Sequence, residues 1–511
     1  MAQIPYRANL SAASFPLIAE DFGQSSIIRL YDHNYAPSIT SREDLDKDTG
    51  IPQIYYGHNI MPTQHGFQSV GINTVIPPLD LEENKFSEVF FLRDAEERKG
   101  YLAVTTDGRL YIAKSPSYAW VSVPFAEDIT ARKISTAHVN GITYIYFSKL
   151  GAYIYDFDLN SLIPIALAGL VATEVKGVTQ AKGYLIAWSD NFIAWSSTTD
   201  PTDFVPSLET GAGGGFLEDA KGLITVCVPH TQGFIAYTTG NAVSAAYSGN
   251  SRFPFIFKEV NEAGGLSNEN LATFESNAAS QYAYTTYGLQ RLSLSAAENF
   301  LPAVTDFLAG SYFEDFDEAT NLFSYTALVS TMKKKVTLIS GRYLIFSYGI
   351  NSLTHALVYD KELERMGKIK LPHVDCFEFS LLEPEVQETP RRSIGFLRAN
   401  GRVNVVDFSR DSTIHQGVII FGKFEYIRQR LTVLDYAAVE NASIQQTMNC
   451  FNLVSLNGKD TTPEPGYMLD NGSPRLREYN FSSVGRNHSL VFSGTFDITS
   501  LQLKFHVHGR R

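Results

Sequence analysis

The sequence feature that most constrains the fold is a hairpin that recurs between residues 86 and 415. Each copy is a short apolar or β-branched run, a turn of two to four residues and a second such run, a pattern typical of antiparallel strand pairs. Its copies start at intervals of about 40 to 60 residues, and such a period with hairpins in every unit is typical of a β-propeller. The copies span residues 101–112, 142–157, 184–196, 234–247, 282–294, 343–359 and 394–408.

The repeat predicts an all-β fold, a β-propeller of about six to seven blades. The 27 Tyr and 34 Phe residues agree with this fold class, because aromatic side chains suit pleated sheet surfaces. The copies carry neither a WD nor a kelch signature, so two packed β-sandwiches remain the alternative at this point.

We divide the chain into three parts. Residues 86–415 form the predicted propeller, with insertions near residues 208–216, 258–270 and 300–335 that we expect to be loops. Residues 416–511 contain longer alternating runs and predict an additional antiparallel β domain. The loop-rich residues 1–85 are expected to pack with this C-terminal domain, because a closed propeller brings its two ends together.

One hairpin illustrates the pattern. Residues 184–188 and 192–196 flank the polar turn Ser-Asp-Asn, and the tail that follows contains two prolines that cannot continue a sheet interior. Because this hairpin is one of the repeated copies and so a predicted part of a blade, Trp188 and Trp195 are candidates for packing between blades. The glycine-rich residues 211–215 lack the Lys-Ser/Thr of a phosphate-binding loop, and we interpret them as a flexible loop tip.

The charge, the cysteine count and the length of the apolar runs exclude several classes of protein. The 54 acidic and 42 basic side chains give a net charge of −12, opposite to the charge of proteins that grip nucleic acid phosphates. The three cysteines are far apart and predict buried, reduced thiols. The longest apolar run, residues 162–172, is too short to span a bilayer, and the N-terminus does not resemble a secretory signal. We expect that the protein is synthesised in a reducing cytoplasm. We expect no insertion into a membrane.

No motif for catalysis or for a cofactor is recognisable, and we predict a protein that is not an enzyme and has no cofactor. The acidic residues 314–318 could supply a glycosidase carboxylate pair or a divalent metal site, but a solvated loop or docking surface is the favoured interpretation. His488, His506 and His508 leave a zinc site open, although histidines that hydrogen-bond within a strand are commoner.

Four stretches resemble a known family, the tail nozzle (tail tubular, head-completion) virion structural proteins of short-tailed bacteriophages. They are ANLSAASFP (8–16), YYGHNIMPTQHGFQSVG (55–71), IAWSSTTDPTDFVPS (193–207) and NHSLVFSGTFDITSLQLKFHVHGRR (487–511).

The resemblance implies a propeller with a platform domain, six copies in a ring below an adaptor protein, and a central channel through which genomic DNA passes. It also implies contacts to tail fibre or spike proteins and a location in the virion tail. A β-propeller that binds or hydrolyses glycans is the alternative, and a propeller scaffold of the cytoplasm is a further one.

We select candidate contact residues on this basis. Exposed aromatic side chains in the insertions are the candidates for ring or partner interfaces: Phe253, Phe255, Phe257, Tyr312, Phe313 and Phe316. The dense basic clusters are the candidates for contacts to DNA in the channel or to an acidic partner: Lys333, Lys334, Lys335, Arg510 and Arg511. The acidic excess of the whole chain suggests a negatively charged lumen along which DNA slides without sticking.

Overall fold

The structure, a computed structural model, describes most of residues 54–507. Gaps lie at residues 80–84, 116, 131, 251, 276–278, 310–311, 318–321, 328–331, 382–390, 408–416, 422–423, 426–430, 442–447, 457–461 and 470–475. Before residue 54 it describes the backbone of three strands, Tyr6–Ala8, Ser14–Phe15 and Ser25–Arg29.

Four consecutive antiparallel sheets of four strands begin the regular part of the chain, and we name them blades one to four. Blade one contains Phe86–Arg93, Lys99–Thr105, Leu110–Lys114 and Trp120–Val123. Blade two contains Ile134–Val139, Ile142–Phe147, Gly151–Asp156 and Ser161–Ile165. Blade three contains Gly177–Ala181, Tyr184–Trp188, Phe192–Trp195 and Gly213–Phe216. Blade four contains Ile224–His230, Gly233–Thr238, Ala242–Tyr247 and Phe255–Glu259.

Blade five contains the strands Gln281–Thr285, Gly288–Leu292 and Ala297–Asn299. Its innermost position is taken by the segment around Ala272, which forms a bridge to Ala283. A helix, Pro302–Ala309, and a two-stranded hairpin, Tyr312–Asp317 with Leu322–Ala327, follow before blade six. In the described part of the chain no helix has the length and apolar character that crossing a membrane requires.

Blades six and seven complete the ring. Blade six contains Lys333–Ile339, Tyr343–Gly349, Leu353–Asp360 and Arg365–His373. Blade seven contains Asp375–Leu381, Arg391–Leu397 and Val403–Asp407, and its fourth strand is Gly71–Ile76 from the N-terminal part of the chain. The first strand of blade seven contacts the first strand of blade one. The chain therefore forms a closed seven-bladed β-propeller whose last blade is completed by an earlier segment of the sequence.

The sequence prediction of a propeller is confirmed, and the hairpin repeat has a simple structural meaning. Every one of the predicted hairpins is the second and third strand of a blade. In blade three, for example, Trp188 pairs with Ile193 across the predicted turn. Trp188 and Trp195 both lie in the core between blades three and four, as predicted.

A turn that joins the third and fourth strands is repeated in blades two and six, at residues 155–160 (YDFDLN) and 359–364 (YDKELE). Asp156 accepts hydrogen bonds from the backbone N–H groups two and three residues later, at 2.8 and 2.9 Å. Asp360 does the same at 3.0 and 3.3 Å. The last residue of each turn has a positive φ, 51° and 53°. This local repeat was not recognised in the sequence.

The platform is attached to the outer edge of blade six by continuous strand pairing. The fourth strand of blade six pairs with Ile60–Pro62, which pairs with Phe67–Ser69, which in turn pairs with the C-terminal strand Asp497–Val507. Beyond it the sheet continues through Thr432–Asn441, Leu476–Asn480 and Tyr467–Leu469. One twelve-stranded sheet thus extends from the centre of the propeller to the far edge of the platform.

A second sheet of eight strands faces the platform core. It contains the strands Tyr6–Ala8, Ser14–Phe15, Ile54–His58, Gly417–Phe421, Phe424–Glu425, Met448–Ser455, Thr462–Pro465 and Asn487–Gly494. Leu344 of blade six and Phe505 of the platform belong to one buried apolar cluster. Because about 25 cal/mol is gained per Å² of apolar surface buried, this shared core resists separation of the two parts.

All three proposed insertions contain residues of blade strands, and in the third of them Lys333 begins the first strand of blade six. Gly213–Phe216 is the outer strand of blade three and pairs with Phe192–Trp195, so the interpretation of residues 211–215 as a flexible loop tip is wrong. Gly213 lies against the ring of Trp195, where a Cβ atom would come within 3.1 Å of it. Glycine is used here because the indole occupies the space of a side chain. Lys258 and Glu259 likewise belong to the outer strand of blade four.

Gly66 tests the junction between propeller and platform. A Cβ atom at this position would lie 1.9 Å from the carbonyl oxygen of Ile498, and only a backbone shift could relieve the clash. We expect Gly66→Ala to lower the free energy of unfolding by about 1 to 3 kcal/mol, measured by chemical denaturation. Gly215→Ala is the matched control, because nothing lies within 4 Å of its Cβ position. Equal stability of the two variants would contradict the close approach.

Candidate functional site

The first strands of the blades line the central channel, and those of blades two, three and four contact one another in turn, as do those of blades six, seven and one. We call the face at which these strands begin the entry face. Five charged side chains meet there, and we name them the mouth cluster: Glu88, Lys133, Glu269, Lys335 and Asp375. Glu88, Lys335 and Asp375 lie on the first strands of blades one, six and seven, whereas Lys133 precedes blade two and Glu269 precedes blade five.

Asp375 is the centre of the mouth cluster and is 2% exposed. Its carboxylate accepts hydrogen bonds from the N–H of Val89 at 2.9 Å and from its own neighbour Cys376 at 2.7 Å. It also forms an ion pair with the ammonium group of Lys335. One carboxylate therefore joins blades one, six and seven where the ring closes.

Burial and neighbouring charges shift the acidity of two cluster members. Burial raises the pKa of Glu88 to about 7, an effect that Lys335 opposes and Asp375 reinforces. Burial alone would lower the pKa of Lys335, but the charge of Asp375 and the hydrogen bond to it raise it instead. Lys335 is thus a fixed cation, while Glu88 titrates close to neutral pH.

The opposite side of the mouth is spanned by an ion pair between Lys133 and Glu269, with Nζ and Oε2 2.6 Å apart. The two residues belong to opposite sides of the ring, at blades two and five. The Lys133 side chain is 61% exposed, so the pair contributes at most about 1 kcal/mol to stability. Its position matters more, because it crosses the opening of the channel.

The three lysines of the predicted basic cluster 333–335 lie on one strand but have different surroundings. Lys333 is exposed, whereas Lys334 donates a hydrogen bond to the carbonyl of Leu308 at 2.8 Å and lies 4.5 Å from the ring centre of Tyr284. Burial lowers the pKa of Lys334. Lys335 belongs to the mouth cluster. A contact of Lys333 or Lys334 with DNA or a partner stays a prediction, and Arg510 and Arg511 lie outside the described residues.

The aromatic candidates differ in exposure. Phe253 is 68% exposed, as expected of a contact residue. The expectation for Phe255 is wrong: it is 6% exposed, with its ring centre 5.5 Å from Tyr184 and 5.8 Å from Trp195. Phe257 lies on the same face of the strand as Phe255, because alternate residues of a strand share a face. It is half-buried there.

Tyr312, Phe313 and Phe316 lie on the described strand Tyr312–Asp317, but their side chains are outside the described residues. The acidic residues 314–318 share this limit, and their role as a docking surface stays a prediction.

The histidines of the C-terminal strands are arranged for hydrogen bonding. His488 is fully buried, with Nε2 3.1 Å from the hydroxyl of Thr432 and its ring 5.5 Å from that of Phe505. His506 is the next residue after Phe505 and points to the other face of the sheet, where Nδ1 lies 2.5 Å from Asp435. His488 and His506 therefore do not face a common site. Among the described residues no group of three His, Cys, Asp or Glu side chains could hold a metal. His508 lies outside them.

A cavity of about 340 Å³ opens between blades five and six. It lies on the face of the propeller opposite the mouth cluster. Lys361 Nζ lies 5.2 Å from the ring centre of Tyr282, and burial lowers the pKa of Lys361 while Glu275 opposes this effect. Arg291 and Lys361 are balanced by Glu275 and Glu364, so the lining favours neither anions nor cations.

Comparisons with known proteins find similarity at the level of fold. No family model matches this chain, and no curated protein sequence matches it. Among solved structures, the chain is similar to the WD40 β-propeller domain of Doa1, with a TM-score of 0.41 and 9% identity over 67% of this chain and 98% of that one. It is also similar to the β-propeller domain of Myceliophteria thermophila Cps50 (Swd1), with a TM-score of 0.36 and 11% identity over 66% and 100% of the two chains.

Most of the mouth cluster was not found by sequence reasoning. Lys335 was selected for the density of its lysine run, but Glu88, Lys133, Glu269 and Asp375 belong to no motif. The usable signal was positional: each lies before the first strand or segment of a blade or within its first three residues. Extending every predicted hairpin backwards by one strand would have placed these charges at one end of the channel.

Proposed function

We propose that this chain is a structural subunit of a bacteriophage tail, a nozzle protein that assembles into a ring around the genome channel. The observation that carries this proposal is the twelve-stranded sheet that joins propeller and platform. A subunit of a pressurised channel needs its domains held rigidly, and continuous strand pairing with a shared core provides this.

The stretches that carry the family resemblance support the proposal by their positions. Residues 55–71 form the strands that connect blade six to the platform. Residues 487–511 include Asn487–Gly494 and Asp497–Val507, which are interior strands of the two platform sheets. Residues 193–207 include the third strand of blade three and the loop after it. The resemblance is thus concentrated in segments that determine the architecture.

The proposed genome channel is the space enclosed by the ring of subunits, since the axis of one propeller is obstructed. The Lys133–Glu269 ion pair spans the mouth, and first strands contact one another around the axis in blades two to four and in blades six, seven and one. DNA would therefore pass along the outer surfaces of the subunits. Platform and propeller would seat the adaptor and the fibre or spike proteins, and the assembly would be non-enzymatic and located in the virion tail.

The mass of the protein in solution tests the proposal, alone and mixed with portal-adaptor proteins from short-tailed phages. We expect a ring of about six subunits, measured by mass photometry and electron microscopy. Large obligate interfaces bury roughly 2,000–5,000 Å², so the ring should persist on dilution. A chain that stays monomeric with every adaptor and binds or cleaves oligosaccharides would contradict the proposal and favour the glycan-binding alternative.

Phe253 provides a point mutation for the same test. We expect Phe253→Ser to weaken assembly at least about tenfold, because one buried aromatic contact contributes more than about 1.4 kcal/mol at an interface. The melting temperature of the subunit should not change, since Phe253 is 68% exposed. Phe274→Ser, at a position 52% exposed in blade five, is the control. Unchanged assembly of Phe253→Ser would remove Phe253 from the interface.

A further inference from the structure

The mouth cluster contains one more carboxylate than ammonium groups. Asp375 pairs with Lys335 and Glu269 pairs with Lys133. Within the described part of the chain, Glu88 forms no ion pair or hydrogen bond through its side chain. The Glu88 side chain is half-buried, and partial removal of a carboxylate from water without a partner of its own is costly.

Glu88 lies directly at the junction that closes the ring. Its neighbour Val89 donates the N–H that Asp375 accepts at 2.9 Å, so both carboxylates act on the same contact between blades one and seven. The charged groups that act on Glu88 come from four directions: Lys335 of blade six, Asp375 of blade seven, Glu269 before blade five and Lys133 before blade two. Two attract an ionised Glu88 and two repel it.

We propose that Glu88 makes the junction of blades one, six and seven a proton-sensitive joint. When Glu88 is protonated, Lys335 is left to Asp375 alone and the joint is tight. When Glu88 loses its proton, the second carboxylate competes for Lys335 and repels Asp375, and the joint loosens.

The direction of the pH effect follows from the raised pKa of Glu88 in the folded chain. The folded chain holds the Glu88 proton up to a pKa of about 7, whereas the ordinary value is 4.5. Between these two values the folded state binds more protons than the open state, so the joint loses stability as the pH rises. For these two pKa values, ionisation of Glu88 raises the opening constant about tenfold between pH 6 and pH 8.

The experiment is hydrogen exchange of the segment 86–93, corrected for the intrinsic pH dependence of exchange, in the wild type and in Glu88→Gln. We expect protection of this segment to fall about tenfold in the wild type relative to the variant between pH 6 and pH 8. The comparison with the variant isolates Glu88 from the buried histidines, which take up protons near pH 6.5 only when the chain opens. Glu88→Met, which also cannot ionise, provides a second variant.

Segment 134–139 of blade two is the internal control and should show the same pH response in all variants. Glu298→Gln, an exposed carboxylate of blade five, is the control for loss of an acidic group and should behave as the wild type. A wild type whose protection at 86–93 changes with pH as in both Glu88 variants overturns the proposal. The proposal is also overturned if the Glu88 variants change the pH response of segment 134–139 as much as that of segment 86–93.

Discussion

Asp375→Ala is expected to lower the free energy of unfolding by about 3 to 5 kcal/mol, because it leaves a buried ammonium group without its partner. The Lys335 side chain is 18% exposed and that of Asp375 is 2% exposed. The substitution also removes the acceptor for the N–H of Val89. Chemical denaturation at pH 7, followed by circular dichroism, measures the loss.

The double variant Asp375→Asn with Lys335→Met separates the charge from the shape of the site. Replacing both partners of a buried pair is often close to neutral, and Asn keeps an oxygen that can accept the Val89 hydrogen bond. We expect the double variant to recover most of the loss. If Asp375→Ala costs less than about 1 kcal/mol, the pair is solvated and the mouth cluster does not close the ring.

Acid is expected to destabilise the protein through two buried histidines, at about 2 kcal/mol for each between pH 7 and pH 5. Burial lowers the pKa of His373 and of His488 to about 4, from the ordinary 6.5. Below pH 6.5 the unfolded chain takes up protons that the folded chain excludes, so stability is lost as the pH falls. Urea denaturation at a series of pH values in the Glu88→Gln background measures the loss, because Glu88 shifts stability in the opposite direction.

Single substitutions assign the acid effect to each histidine. His373→Gln and His488→Gln should each reduce the stability difference between pH 7 and pH 5 by about half. The exposed His65 is the control, and His65→Gln should leave the difference unchanged. If neither buried-site variant alters the pH dependence, both rings are protonated in the folded state and the burial argument fails.

The repeating hairpins could be predicted from the sequence because their causes are local. The alternation of apolar residues and the chemistry of turns such as Asp107-Gly108, where Gly108 has a φ of 80°, act within about a dozen residues. The predicted boundary at residues 415 and 416 lies between the strands Val403–Asp407 and Gly417–Phe421. These signals predicted the fold class and a number of blades of about six to seven.

The strands missed or misjudged are those whose pairing depends on distant residues. Gly213–Phe216 has no strand-forming composition, and only the rings of Phe192 and Trp195 beside it explain its glycines. Phe255 was expected to be exposed because it lies in an irregular stretch, yet the alternation of its strand turns it towards blade three. Such positions depend on packing that single-segment patterns do not contain.

The sequence by itself determined a propeller of repeated hairpins with a β platform after it. The tertiary structure decided how the ring closes, since Gly71–Ile76 pairs with Val403–Asp407 more than 300 residues later. It also decided which charges meet: Glu88, Lys335 and Asp375 come from separate blades and become neighbours only when the circle is complete. A hairpin depends on residues close together in the sequence, but closure of a ring depends on the whole chain.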